Sequence, residues 1–234
     1  MTDLVVPGCT QIGLGLVNAF LVDSGGDSLV LIDAGAPVGF HTRRLLAAVR
    51  EAGRRPDDVG DILITHQHID HAGGAGAVAA ATGARVHIHE LDAPELEAGG
   101  RARPGTGRTL FTRLVANASR WRKLGAVGVD HHRVDGELLV GSFGIEAIHT
   151  PGHTLGHTSY LWPANGGVLF AGDALANLRG KRHHAPVAHN WDQVVTSLAK
   201  LAEYDYETVV FGHGRILRDN AVAEVRRFAE FCAG

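Results

Sequence analysis

The chain has 234 residues, 45% of them apolar and 20% charged, which suits one sizeable globular domain or two small ones. Its 22 basic and 25 acidic residues leave a net charge of −3, which gives no overall field for nucleic acid or a membrane surface. The two cysteines, Cys9 and Cys232, lie near opposite ends and make neither a disulfide framework nor a metal spacing.

Residues 1–7 carry no positive n-region and no long apolar run, so the start does not read as a signal peptide. No stretch approaches the ~20 apolar residues of a membrane span. The expected setting is the cytoplasm, with no membrane partner. Residues 16–22 read as a strand, Asp23–Asp27 as a hairpin turn and Leu29–Ile32 as a buried strand that stops at Asp33-Ala34-Gly35. A helix is expected from about Phe40 to Ala52, with Leu45, Leu46 and Val49 on one face and Gly53 ending it. The strand Ile62–Ile64 runs into Thr65-His66-Gln67-His68-Ile69-Asp70-His71, and Gly73-Gly74 then permits a tight backbone turn. Residues 74–82 read as helix and Arg85–His89 as an edge or half-buried strand, with His87 and His89 as surface or structural histidines.

Residues 90–129 differ in character. Glycines and Pro104 break the chain, and a helix is expected over about 109–124 with Leu110, Leu114 and Trp121 on one stripe beside Phe111 and Val115. This stretch has no acid from Ala98 to Val129, against seven bases: Arg101, Arg103, Arg108, Arg113, Arg120, Arg122 and Lys123. It reads as an insertion, either a lid or a homodimer surface. The sheet resumes at 138–140 and 145–149, and a hairpin joins 159–162 to 168–170. A long irregular loop is expected from 172 to 189, then a helix capped by Asn190 or Asp192 and reaching about Glu203. Thr208–Phe211 reads as a buried strand, and an amphipathic helix covers about 218–231. No composition shift marks a linker, so 1–234 reads as a single domain of sheet and helix layers.

Fifteen histidines are the anomaly of the composition. Three imidazoles and a carboxylate within six residues, His66 to His71, are a cation-binding pattern. Five strands end alike, in a short apolar run, a polar residue and a nearby glycine: at Asp33, at His66–His71, at His153, at Asp173 and at His213. Strand ends gathered at one sheet edge form the usual place for a site.

These motifs resemble the metallo-β-lactamase-fold superfamily of hydrolases. His66-x-His68-x-Asp70-His71, His153 in Thr-Pro-Gly-His-Thr-Leu-Gly-His, Asp173 in Phe-Ala-Gly-Asp, His213 in Phe-Gly-His-Gly and Asp33 in Leu-Ile-Asp-Ala-Gly carry the resemblance. It covers roughly residues 15–90 and 136–225, and the insertion lies outside it. It implies an α+β fold, an αββα sandwich, with two divalent metals at one edge. Carried over, His66, His68 and His153 hold one metal, Asp70, His71 and His213 the second, and Asp173 bridges them. Zinc fits the first set, and zinc, manganese or iron the second. The resemblance also implies a metal-bridging hydroxide as nucleophile, with Asp70 orienting it or taking a proton. Asp33 is the expected support of a ligand histidine, and His157 is left between a ligand and a structural role, with structure favoured.

Absences narrow the substrate. β-Lactamases of this superfamily lack a bridging aspartate at the position of Asp173. Flavodiiron oxygen reductases carry glutamate where His68 stands. Glyoxalase II has a helical C-terminal region, whereas 21 residues follow His213 here, which counts against glutathione thioesters. The lactonases share all seven ligands, but Ala174-Leu175-Ala176-Asn177 lacks their assisting tyrosine. The expected activity is hydrolysis of a small ester, thioester or lactone. An iron-dependent reaction like that of the persulfide dioxygenases is the alternative, and a phosphodiesterase or ribonuclease a minor one. Arg179, Lys181, Arg182, His183 and His184 read either as a clamp for an anionic small-molecule substrate or as a solvated loop. No substrate-binding residue is assigned, and no nucleic-acid-binding module is recognisable.

Overall fold

The computed structural model describes residues 1–101, 103, 105–107, 123–132, 135–139, 143–178, 180–184 and 186–233. The chain groups into two compact units, the first built on residues up to Arg103 and closed by the strand Asp130–His132, the second on the remainder.

The first unit is a seven-stranded sheet laid down almost in chain order. β1 (Thr2–Val6), β2 (Cys9–Gly13), β3 (Asn18–Val22) and β4 (Leu29–Ile32) pair antiparallel, each with the next. β5 (Val59–Leu63) and β6 (Arg85–His89) then continue the sheet in parallel. The chain passes through β7 (Thr106–Gly107), which belongs to the second unit, and returns as β8 (Asp130–His132) beside β6. Parallel strands need crossovers, and α1 (Gly39–Glu51) and α3 (Ala75–Thr82) supply two of them, with the single turn α2 (Ile69–Ala72) between. Leu45 and Val49 of α1 and Val78 of α3 share one core with Leu29, Leu31, Ile62, Ile64, Val86 and Ile88. The short helix α4 (Ala93–Glu97) adds Leu96 to it, and Leu124 joins from the returning chain.

The second unit carries a five-stranded sheet in the order β16-β12-β11-β10-β9. Its members are β9 (Glu137–Leu139), β10 (Ile145–His149), β11 (Thr158–Trp162) and β12 (Val168–Phe170), all antiparallel in turn. After them come the hairpin β13 (Ala176–Leu178) with β14 (Lys181–His183), then β15 (Val187–Ala188) paired with β7. α5 (Trp191–Leu201) leads to β16 (Thr208–Val210), parallel to β12, and α6 (Ala221–Ala233) follows. Asn190 caps α5: its Oδ1 accepts the N–H groups of Asp192 and Gln193 at 3.0 and 3.1 Å. Val194, Leu198 and Leu201 of α5 and Val225 and Ala229 of α6 share a core with Ile148, Leu161, Leu169 and Val209.

Several expectations change. β1 and β2 were not foreseen, because polar residues interrupt their apolar pattern. β6 is an interior strand, not an edge, since β8 covers it. The stretch 172–189, expected to be irregular, holds β13, β14 and β15, each too short to show a period. Gly73 and Gly74 have negative φ, so freedom of turn is not what demands them. A Cβ at Gly73 would stand 2.5 Å from Pro37 Cδ, and one at Gly74 2.3 Å from the Ala34 carbonyl oxygen. The two glycines let the loop after β4 lie directly against the turn after the histidines. Residues 109–122 of the expected helix, and with them Leu110, Leu114, Trp121, Phe111 and Val115, lie outside the described residues, as does Arg179.

Candidate metal centre

In the first unit, four candidate ligands sit on the turn that leaves β5. Ile64 still bonds to β6, its N–H donating to the His87 carbonyl at 2.8 Å, and the chain then turns at Thr65. Asp33 organises this turn from beneath. It is fully buried and has left-handed backbone, φ 62°, a conformation that aspartate tolerates better than most side chains. Its Oδ1 accepts the Thr65 N–H at 2.9 Å, and the Thr65 hydroxyl lies 3.0 Å from both carboxylate oxygens.

Proton bookkeeping then fixes two tautomers. The carboxylate only accepts, so the single hydroxyl proton of Thr65 is committed to Asp33. His66 Nδ1, 3.0 Å from Thr65 Oγ1, must therefore carry a proton and donate it, which leaves Nε2 as the unprotonated nitrogen. His71 Nδ1 donates to Asp33 Oδ2 at 2.8 Å, which likewise leaves its Nε2 basic. His66 Nε2 lies 3.0 Å from His68 Nδ1, and the His66 and His71 rings are 4.2 Å apart. Asp70 is the second residue of α2, with Oδ2 at 3.9 Å from His71 Nε2 and a side chain 42% exposed.

In the second unit, three further candidates meet around one oxygen. Asp173 Oδ2 lies 3.5 Å from His153 Nε2 and 3.5 Å from His213 Nε2. His153 Nδ1 donates to the Val187 carbonyl at 2.8 Å, so its Nε2 also keeps a lone pair. The Gly152 carbonyl, beside it, accepts the N–H groups of His189 and Asn190 at 2.7 and 3.0 Å. His213 is held through its backbone. Its carbonyl accepts the Asn177 N–H at 3.2 Å, and Gly214 bridges to Asn177.

His157 has a structural task. Its Nε2 accepts the backbone N–H of Asp173 at 2.9 Å, so Nδ1 carries the proton and donates it to Thr150 Oγ1 at 2.8 Å. Thr150 then donates to Ser159 Oγ at 3.0 Å, and Ser159 to the Ala171 carbonyl at 3.3 Å. Every hydroxyl in this buried chain has one donor and one acceptor role to fill, and each is filled. His87 is likewise structural, with Nε2 at 2.8 Å from Asp61 Oδ1.

Two members of the basic loop have partners within the second unit. Arg182 pairs with Glu224 at 2.6 Å and donates to Asn177 Oδ1 at 3.1 Å, while the His184 ring stands edge-on to Trp191 with centroids 4.9 Å apart. Sequence reading passed over Thr65 and Val187 as supports. Thr65 could have been found as the hydroxyl next to the first ligand. A backbone carbonyl leaves no residue signature.

Neutral imidazoles with one nitrogen tied back, together with carboxylates, form donor groups that could hold a metal ion. Among the described residues, no helix is long and apolar enough to cross a membrane.

The family profile described as the metallo-beta-lactamase superfamily matches residues 12–213. A hydroxyacylglutathione hydrolase of Rhodospirillum rubrum is 34% identical over 155 residues, which cover 65% of this chain and 47% of that protein. The chain thus spans about half the length of that relative. An uncharacterized Bacillus subtilis protein, YobT, is 29% identical over 86% of this chain and 84% of its own length. The crystal structure of a metallo-beta-lactamase from Cronobacter sakazakii superposes with a TM-score of 0.75 at 20% identity, covering 99% of this chain and 94% of that one.

Proposed function

The chain belongs to the metallo-beta-lactamase superfamily, and from that premise we propose that it is a metal-dependent hydrolase of a small ester, thioester or lactone. Seven side chains would hold two divalent ions, zinc foremost: His66, His68 and His153 the first, Asp70, His71 and His213 the second, with Asp173 shared. Within the first unit Asp70 lies beside His71, and within the second Asp173 lies beside both His153 and His213, which supports this division.

The observation that carries the reading is the placement of protons. His66, His71 and His153 each have Nδ1–H bonded away, to Thr65, Asp33 and Val187. In that tautomer Nε2 is the unprotonated nitrogen of each ring, so a cation bound there would displace no proton. A bound divalent cation lowers the pKa of water from 15.7 toward about 7 and polarises a carbonyl oxygen. The protein's own groups supply the rest. Asp33 and Thr65 hold the two buried imidazoles in one tautomer. Asp70, the most exposed carboxylate of the set, is the proposed proton acceptor, since its side chain is 42% exposed while that of Asp173 is 8% exposed. The resemblance to a hydroxyacylglutathione hydrolase supports a thioester among the candidate substrates.

Elemental analysis of protein never exposed to chelator is the first test, with about two zinc per chain expected for a two-metal site. A panel of thioesters, esters and lactones follows, with hydrolysis abolished by chelation and by His66→Ala or Asp173→Ala. One iron per chain, with oxygen uptake on a persulfide, would overturn the reading. So would hydrolysis that survives either substitution.

A further inference from the structure

Gln67, between the first two histidines, has no part in the metal reading, yet it is fully buried. Its backbone N–H donates to Asp92 Oδ2 at 3.1 Å, and its side-chain amide donates to Asp92 Oδ1 at 3.2 Å. Its Oε1 accepts the backbone N–H of Arg103 at 2.9 Å. Asp92, also fully buried, thus grips the backbone between His66 and His68, while the amide reaches onward to the start of the inserted segment. The Arg103 guanidinium is held as well, by Glu95 of α4.

A few residues further on, the same segment is fastened again. Thr106 and Gly107 pair with Ala188 and Val187, and Thr106 Oγ1 donates to the Ala188 carbonyl at 3.0 Å. The carbonyl of that same Val187 accepts the Nδ1 proton of His153 at 2.8 Å. Gly105 lies flush on this strand, where a Cβ would stand 3.1 Å from the backbone N, C and O of Ala188.

We propose that Arg103, in the first unit, and Thr106–Gly107, in the second, each act as a strap that positions metal ligands through their supports, with Gln67 as the positioning residue in the first and Val187 as the contact in the second. This rests on the metal centre proposed above. The strap acts through the supports of the ligands. It fixes the backbone between His66 and His68, and the strand whose carbonyl sets the His153 tautomer. Residues of this supporting kind typically change metal affinity by about 10–100-fold when removed.

The test measures zinc affinity of the full chain, made metal-free and titrated with zinc sulfate against a chromophoric chelator, with circular dichroism alongside. Gln67→Leu should weaken zinc binding by about 10–100-fold while the spectrum stays that of the parent. Gln67→Glu should be at least as damaging, because it sets two carboxylates face to face. The double variant Gln67→Glu/Asp92→Asn exchanges donor for acceptor across the same pair and should recover most of the affinity, which general loosening of the fold would not allow. Gly105→Val should pry Thr106–Gly107 from Val187–Ala188 and weaken zinc binding from the other end. If Gln67→Leu does not fold, Gly105→Val and the double variant decide. Folded variants that bind zinc within about twofold of the parent, far short of the expected loss, overturn the strap and leave the metal centre standing. A parent that binds no zinc overturns both.

Discussion

The two halves of the candidate ligand set are supported by opposite means. In the first unit, four ligands fall within six residues, and one buried carboxylate, Asp33, anchors the turn and fixes the tautomer of His71 directly and of His66 through Thr65. In the second, His153, Asp173 and His213 are far apart in the chain, and their supports are neutral. They are the Val187 carbonyl, the His157–Thr150–Ser159 chain and the backbone pairing of Asn177 with His213 and Gly214. A concentrated set depends on one charge. A dispersed set depends on many weak bonds that the sheet supplies anyway.

The contrast is broken or sharpened most strongly at Asp33. Asp33→Asn keeps a side chain that tolerates φ 62°, but its single carbonyl oxygen cannot serve both Thr65 and His71. An amide facing His71 Nδ1 would reverse that tautomer and turn an N–H toward the cation. Zinc affinity should fall by about 10–100-fold, with a loss of stability of about 1–3 kcal/mol from the buried group left unpaired. Equilibrium titration and urea unfolding measure the two separately. Unchanged zinc affinity would show that the charge is not what holds the first half.

His157→Leu probes the neutral side. It strands the Asp173 N–H in the interior and takes away the donor to the Thr150 hydroxyl, at a cost of about 1–3 kcal/mol. Zinc affinity should fall less than for Asp33→Asn, and His157→Gln, which can still accept from Asp173, should recover part of the stability. The reverse order of zinc losses would refute the contrast between charged and neutral support.

The smallest effect belongs to the rim of the second unit. Burial pushes the Asp135 carboxyl up, but the Lys200 ammonium and the His149 N–H outweigh it and hold the group below the usual carboxylate range. The folded state therefore gains from this ion pair above the unfolded carboxylate pKa, and loses the gain as pH falls through the lowered value. Both side chains are partly exposed, so the contribution is about 0.2–1 kcal/mol after screening. Lys200→Met should remove it at neutral pH, and its effect should shrink as pH falls below the unfolded carboxylate value, as read from thermal melts across an acid series.

What was legible in the sequence follows the same division. Apolar runs ending in a polar residue and glycine marked β4, β5, β10, β12 and β16, because buried strands leave continuous apolar signatures. Residue type alone marked the candidate ligands. Orientation was not legible: which nitrogen of His153 carries the proton depends on the carbonyl of Val187, and any residue there has one. The strands β13 to β15 were hidden because two or three residues have no periodicity to read. Gln67 looked like a spacer because its partners, Asp92 and Arg103, are distant in sequence.

The strand order of the first sheet bears on how the molecule is made. From β1 to β6 each strand pairs with the one synthesised just before it, so closure costs little chain entropy and can follow the ribosome. β16, by contrast, waits for β12 across three short strands and a helix. A nascent chain would therefore present His66, His68, Asp70 and His71 on a nearly finished sheet while His213 was still untranslated. For the proposed centre, ion loading belongs to the completed polypeptide, and a stalled translation product would carry a half-site that binds metal weakly and releases it.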